Sequence, residues 1–206
     1  MVNFKKVIRN LEGGYIAVVD KKSPRSEKQQ VAKFSLDTVT ILERGSPMGE
    51  SVPFVKVNDW DEESPSDYPG LHKLQVFVLV LNGEIRGYMP VRWHWNITQK
   101  GRLLDVEGKP IESKGKLQFH DVAELAKNPI IHEAPKRLEG WGIEAVVILP
   151  QWQRQGLGKL LLRTGLDYLG TNEREVAYDP PFSDAGKALL RSLGLNPEEV
   201  RLSPGI

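Results

Sequence analysis

The stretch IEAVVILPQWQRQGLGK, residues 143–159, decides how this chain is read. Ile143 to Leu149 is apolar apart from Glu144, so it reads as a strand buried on both faces, and Pro150 ends it. From Gly156 to Leu169 the apolar residues at 157, 160, 161, 162, 166 and 169 recur at helical spacing, with Gly170 as the natural stop. Between strand and helix, Gln153-Arg-Gln-Gly-Leu-Gly158 places two glycines at the turn. Backbone N–H groups at a helix N-terminus lack intrahelical acceptors, and glycine lets an anion approach closely, so the turn reads as a phosphate site.

Working outward, Glu175 to Tyr178 predicts a second short strand and Pro180-Pro181 a corner. Ser183 is an N-cap for a helix over Asp184–Leu193 that Gly194 terminates. Strand, helix, strand, helix makes a βαβ unit around two parallel strands. Upstream, Leu74–Leu81 and Glu84–Trp95 flank Asn82-Gly83, a strong hairpin signal because both turn residues accept positive φ. Tyr15–Val19 reads as a strand, Lys21–Gln29 as a polar loop, and 30–42, which fits helix and strand templates about equally, as a helix. Residues 58–70 form an acidic, proline-bearing loop. Residues 97–140 are too long for a plain connection and predict a hairpin near Glu107-Gly108 and a helical turn at 121–127. The expectation is one α/β domain over 1–206, a mixed, mostly antiparallel sheet with a central parallel pair and flanking helices. Glu198 to Leu202 leaves room for one last strand, so either a neighbouring subunit in a homodimer or the N-terminal segment completes the sheet edge.

Composition narrows the chemistry. The 206 residues carry 28 Lys and Arg against 27 Asp and Glu, with no Cys. The near-neutral balance argues against a nucleic-acid binder. The absence of Cys removes disulfides, thiolate zinc sites and cysteine nucleophiles. The longest apolar run, VFVLVL at 76–81, is far short of the roughly 20 residues that span a membrane. With no apolar secretory leader at the N-terminus, the expected compartment is the cytoplasm. His94, His120 and His132 match no ligand spacing, so no metal site is expected.

Three phosphate motifs compete for the turn. A Walker A loop needs glycine where Gln153 stands and Ser or Thr where Leu160 stands, and the dinucleotide pattern needs its third glycine at Leu161. What remains is Q-x-x-G-x-G. With the apolar strand and proline before it, and the long helix, short strand and second helix after it, the segment Ile143–Leu195 resembles the GNAT family of acyl-CoA N-acyltransferases. The upstream hairpin fits that family's second and third strands. A weaker likeness, Ala177 to Gly186, is to the cohesion-establishment acetyltransferases and draws attention to Asp184, although the zinc finger of that group has no counterpart here.

The resemblance implies acetyl-CoA as acyl donor. Pantetheine amides would lie against Ile148 and Leu149, and a backbone N–H near Val147 would polarise the thioester oxygen. Pyrophosphate would sit on the N–H groups of Gln153, Arg154, Gln155, Gly156, Leu157 and Gly158, with Arg154 and Lys159 as charge partners. Attack by an amine needs a base, for which Glu144 is the candidate, the bland alternative being a strand-end carboxylate facing solvent. Many members carry a Tyr acid where this chain has Leu190, so Tyr178 and Ser183 stand as substitutes. The expected reaction is acetyl transfer to a primary amine on a small molecule, peptide or protein. The alternative is a non-catalytic acyl-CoA-binding protein of the same fold. If the first parallel strand runs toward the phosphates, the acidic loop and the 97–140 insert flank the acceptor side, with Trp60, Trp93, Trp95 and Trp141 as core supports or pocket walls.

Overall fold

The computed structural model describes residues 2–43, 55–60, 72–94, 98–99, 140–179 and 183–202. They fall into two compact units. One comprises Met1–Glu62, Lys73–Pro90 and Ala145–Leu169, the other Glu63–His72, Val91–Glu144 and Gly170–Ile206. The expected hairpin and helical turn inside 97–140, most of the acidic loop and the Pro180-Pro181 corner lie outside the described residues. The fold is mixed α/β, and its strand pairings are mostly antiparallel.

In the first unit, strand β1 (Val7–Leu11) pairs antiparallel with β2 (Gly14–Val19), and β2 with β3 (His72–Leu81). β3 turns through Asn82 and Gly83, at φ 53° and 75°, into β4 (Glu84–His94), as the Asn-Gly pair predicts. Helix α1 (Arg25–Glu43) covers one face of this sheet. There Val76, Val78 and Val80 join Ala17, Val19, Val31, Tyr88 and Trp60 in the core, and the Trp60 indole N–H donates to the Val19 carbonyl at 3.3 Å. The alternate β3 residues Phe77 and Leu79 are equally buried, so a continuous apolar run was needed rather than an alternating one. Phe77 lies against helix α2 (Leu157–Leu169): a Cβ on Gly165 would stand 2.5 Å from the Met89 terminal methyl and 3.0 Å from the Phe77 ring.

The polar stretch expected as a loop over Lys21–Gln29 is helical from Arg25 onward, so only Lys21–Pro24 is non-helical. Pro24 offers its carbonyl to the Glu27 and Lys28 amides and so starts the helix. The charges that suggested a loop are tied down: Glu27 Oε1 accepts from the Lys5 amide, and Lys28 Nζ donates to the Lys21 carbonyl, both at 3.0 Å. These bonds offset part of the cost of burial, although Glu27 Oε2 is itself buried without a hydrogen-bond partner.

In the second unit, residues 91–94 of β4 pair antiparallel with β6 (Gly140–Ile143), and β6 pairs parallel with β8 (Ala177–Tyr178). β9 (Arg201–Leu202) pairs parallel with β8, and β5 (Thr98–Gln99) antiparallel with β9. Helix α3 (Asp184–Ser192) opens on Ser183, whose Oγ accepts from the Gly186 amide at 3.1 Å.

The single strand expected over Ile143–Leu149 is broken. β6 ends at Ile143, and β7 (Val147–Ile148) resumes the antiparallel pairing to β4 in the first unit. The pairs Tyr88↔Val147 and Val91↔Ile143 bracket Met89 and Pro90 on β4 but Glu144, Ala145 and Val146 opposite. That is one residue too many for a regular ladder, a bulge, and Pro90 has no N–H to contribute to it.

Candidate active site

The turn after β7 is built from backbone. The Leu149 N–H donates to the Arg86 carbonyl at 2.9 Å, and its own carbonyl accepts from the Trp152 amide at 2.8 Å. A single 3-10 turn, Pro150–Trp152, follows. The Arg86 guanidinium holds it in place, lying 5.1 Å from the Trp152 ring centroid while its Nη2 contacts the Glu84 carboxylate at 2.5 Å. Arg154 and Gly156 then both adopt left-handed backbone, φ 60° and 77°. Left-handed residues in a turn gather successive N–H groups into a concave anion cradle. A Cβ built on Gly156 would meet nothing within 4 Å, so the space in front of the turn is open. The first α2 bond runs from the Leu160 amide to the Gly156 carbonyl at 2.9 Å, so the amides of Gln155, Gly156, Leu157 and Gly158 precede the helical ladder. Gln153, Arg154 and Gln155 are exposed, and Lys159 is half-buried. These residues fit a diphosphate.

Alternation sorts the strand residues expected to meet the rest of the donor. In an antiparallel ladder, alternate residues direct their polar groups to the same neighbour. Val147 therefore shares the direction of Leu149, toward β4, and Ile148 presents its N–H and carbonyl on the other side. Gln153 Nε2 reaches back to the Ile148 carbonyl at 2.9 Å. Leu149, with both groups engaged, has little to offer a ligand. Of the two β7 residues, Ile148 is thus the one whose N–H is directed away from β4.

The second unit holds the ionisable candidates. Glu144 does not face solvent: its side chain is 6% exposed and bound to Arg92 Nε, whose side chain is 13% exposed. The register explains how they meet. Arg92 stands opposite Gly142 and His94 opposite Gly140, so β6 has no side chain on that face, and the guanidinium can lie across the strand toward position 144. On the other face Trp93 and Trp141 pack edge to face, centroids 5.2 Å apart at 90°. Arg92 and Arg86 were both missed in the sequence, because nothing in their neighbourhood along the chain signals partners more than fifty residues away.

Tyr178 and Ser183 are already employed. The Tyr178 hydroxyl donates to the Glu173 carbonyl at 2.9 Å, and burial, with the Glu173 charge adding to it, pushes its ionisation well above the usual tyrosine range. A phenol so placed is a poor proton donor to a leaving thiolate. Ser183 caps α3. Leu190, where many relatives of the resembled family carry their acid, is buried at 3% exposure. Among the described residues no group of His, Asp and Glu is arranged to hold a metal, and no helix is long and apolar enough to cross a membrane.

The sequence profile described as the acetyltransferase (GNAT) family matches residues 47–194. The chain belongs to the GNAT family. That match takes in the strand break, the left-handed turn and α2, and it extends the likeness upstream of the segment from Ile143 to Leu195 that first suggested it. GNAT proteins bind acyl-CoA, which accords with the cradle at Arg154–Gly158. The fold is also that of the xEco2 acetyltransferase domain, at 14% identity and a TM-score of 0.55, with 100% of this chain and 99% of that one covered. The same domain bound to a K105-CoA conjugate aligns at 13% identity and a TM-score of 0.56, again covering 100% and 99%. No curated protein sequence matches the chain significantly.

Proposed function

We propose that this GNAT protein transfers an acetyl group from acetyl-CoA to a primary amine by direct attack. The observation that carries the reading is the turn in which Arg154 and Gly156 are both left-handed ahead of α2. Gln155 to Gly158 would hold the pyrophosphate through backbone N–H groups, and the Ile148 N–H would pair with pantetheine or polarise the thioester oxygen. The amine nitrogen bonds to the thioester carbon, the carbon–sulfur bond breaks, Glu144 takes up the amine proton, and the thiolate leaves as CoA. With Tyr178 committed to Glu173 and Ser183 to its cap, solvent supplies any proton the thiolate needs. No acyl-cysteine can form in a chain without cysteine. The acceptor amine belongs to a small molecule, a peptide or a protein.

Calorimetry with acetyl-CoA, paired with CoA release across a lysine peptide, a peptide with a free N-terminus, spermidine and an aminoglycoside, tests this. A thiol reagent reads the released CoA without background from the protein. Binding with turnover on an amine is the expected result; no binding at high micromolar acetyl-CoA overturns the reading. A second reading, an acyl-CoA-binding protein without catalysis, is favoured by buried Leu190 and by the commitment of Tyr178. It would show binding with no CoA release on any amine.

A further inference from the structure

We propose that the Gln153 side chain is a placeholder for the acyl donor: it holds the Ile148 carbonyl in the free protein and yields it to a pantetheine amide N–H when acetyl-CoA binds. The inference rests on the acyl-transfer reading and deepens it by naming the side chain that the donor displaces. Every residue it uses lies in the first unit. The β7 backbone supplies the starting point. The Leu149 N–H donates to the Arg86 carbonyl, so residues 147 and 149 direct their polar groups to β4 and residue 148 does not. The Ile148 carbonyl therefore stands outside the β4–β7 ladder, on a residue only 8% exposed. A carbonyl so placed needs a donor from elsewhere. Gln153 provides it, with Nε2 at 2.9 Å from the Ile148 oxygen. The 3-10 turn Pro150–Trp152 is what carries the chain back far enough for this contact.

A glutamine amide and a pantetheine amide offer a carbonyl the same thing, a planar N–H donor. Gln153 thus gives Ile148 what the donor would give it, immediately ahead of the cradle that takes the diphosphate. Exchange of one for the other keeps the Ile148 carbonyl bonded in both states. Gln153 is an exposed residue, so its released amide goes to water. The exchange has a cost: apparent affinity for the donor falls by the fraction of protein in which the carbonyl is open. It adds no slow phase, because a side chain turns far faster than a ligand arrives. A purely structural bond would remain in place under the donor, so the test must separate the two.

Calorimetry on the full chain, paired with thermal melts of the free and the ligand-saturated protein, does so. Gln153→Ala should bind acetyl-CoA about three- to tenfold more tightly, the span covered by the net worth of one hydrogen bond. The free variant should melt below the free wild type, and that difference should vanish at saturating acetyl-CoA, where neither protein makes the bond. ADP, which has the diphosphate but no pantetheine arm, should gain nothing from the substitution. An unchanged acetyl-CoA Kd, with the melting difference kept in both states, means that the bond persists under the donor and overturns the inference. A raised Kd makes Gln153 a direct donor contact and overturns it too, as does an equal gain for ADP. Each of these results leaves acyl-CoA binding intact. If Gln153→Ala does not fold, Gln153→Met, which keeps the stem without the N–H, carries the same comparison. Wild-type protein that binds no acetyl-CoA at high micromolar concentration removes the acyl-transfer reading, and this inference with it.

Discussion

The two candidate regions, the turn Gln153–Gly158 and the surroundings of Glu144, are made of different materials. At Gln153–Gly158 the recognition groups are backbone amides, and the side chains matter mainly through what glycine lacks. At Glu144 the recognition group is a side chain, and what directs it is another side chain from a different strand. Backbone sites are specified within a few consecutive residues. Side-chain sites are specified by register, and a one-residue bulge changes what meets what. The first kind tolerates variation in side-chain chemistry but not in backbone freedom, and the second does the reverse.

The largest effect that would break this contrast is at Gly156. Gly156→Asp adds a carboxylate in front of the cradle and a Cβ at φ 77°, and the acetyl-CoA Kd should rise at least about 100-fold by calorimetry. Gly156→Ala separates backbone strain from charge. Nothing lies within 4 Å of the new methyl group, so it should cost only about 1 kcal/mol in urea unfolding, with a much smaller rise in Kd. An Ala variant as defective as Asp would mean that the glycine serves space rather than conformation.

Next in size, Glu144→Gln should reduce kcat about 100-fold while leaving the acetyl-CoA Kd within twofold, since the cradle does not use that side chain. Equal loss of binding and turnover would dissolve the distinction between the two regions. Ser183→Ala should then cost about 1 kcal/mol of stability through its lost cap bond to Gly186, with turnover unchanged. A large fall in kcat at unchanged stability would return Ser183 to the catalytic set.

The smallest effect lies outside both regions and calibrates the rest. Lys6 Nζ meets Asp20 Oδ2 at 2.7 Å on a partly exposed surface, and Lys6→Met should cost no more than about 1 kcal/mol, less in high salt. Burial pushes the Asp20 carboxyl up, but the hydrogen bond and charge of Lys6, together with the Lys22 amide and the Ser23 hydroxyl, outweigh it and leave it below its ordinary 3.8. The hydrogen bond from Lys6 to Asp20, more than any other contact, holds the ammonium above 10.5. A lowered acid stabilises the fold above its unfolded value and loses that contribution as pH falls through the folded one. A raised base stabilises below its unfolded value and loses that contribution as pH rises through the folded one. The difference between wild type and Lys6→Met should therefore be flat between about pH 5 and 9 and shrink outside that window, as read by thermal melts.

Much of this was legible in the sequence where the signal is local. The Asn82-Gly83 hairpin, α2 with its Gly170 stop, the Ser183 cap and the Q-x-x-G-x-G turn each rest on residues adjacent in the chain or on a period of 3.6. What failed was non-local. The start of α1, Arg25–Gln29, looked like a loop because the partners of Glu27 and Lys28, the Lys5 amide and the Lys21 carbonyl, are not visible in a hydropathy pattern. The break at Glu144 is hidden because Ile143–Leu149 is apolar apart from that one residue, and the count that reveals it involves Met89 and Pro90 on another strand. Which N–H groups of β7 face β4 is likewise hidden in the sequence, because it follows from the Arg86–Leu149 hydrogen bond. Hydropathy is equally silent on what the candidate hydroxyls bind: Tyr178 donates to the Glu173 carbonyl, and Ser183 Oγ accepts from the Gly186 amide.

Arg154 has a kinetic consequence. A non-glycine residue at φ 60° carries roughly 1–2 kcal/mol of backbone strain. A turn whose strain is carried by the surrounding fold needs no ordering by a ligand on arrival. Association of acetyl-CoA should then show no slow rearrangement phase, its observed rate rising linearly with ligand concentration in stopped flow. Substitutions in the turn should act mainly by shortening the lifetime of the complex.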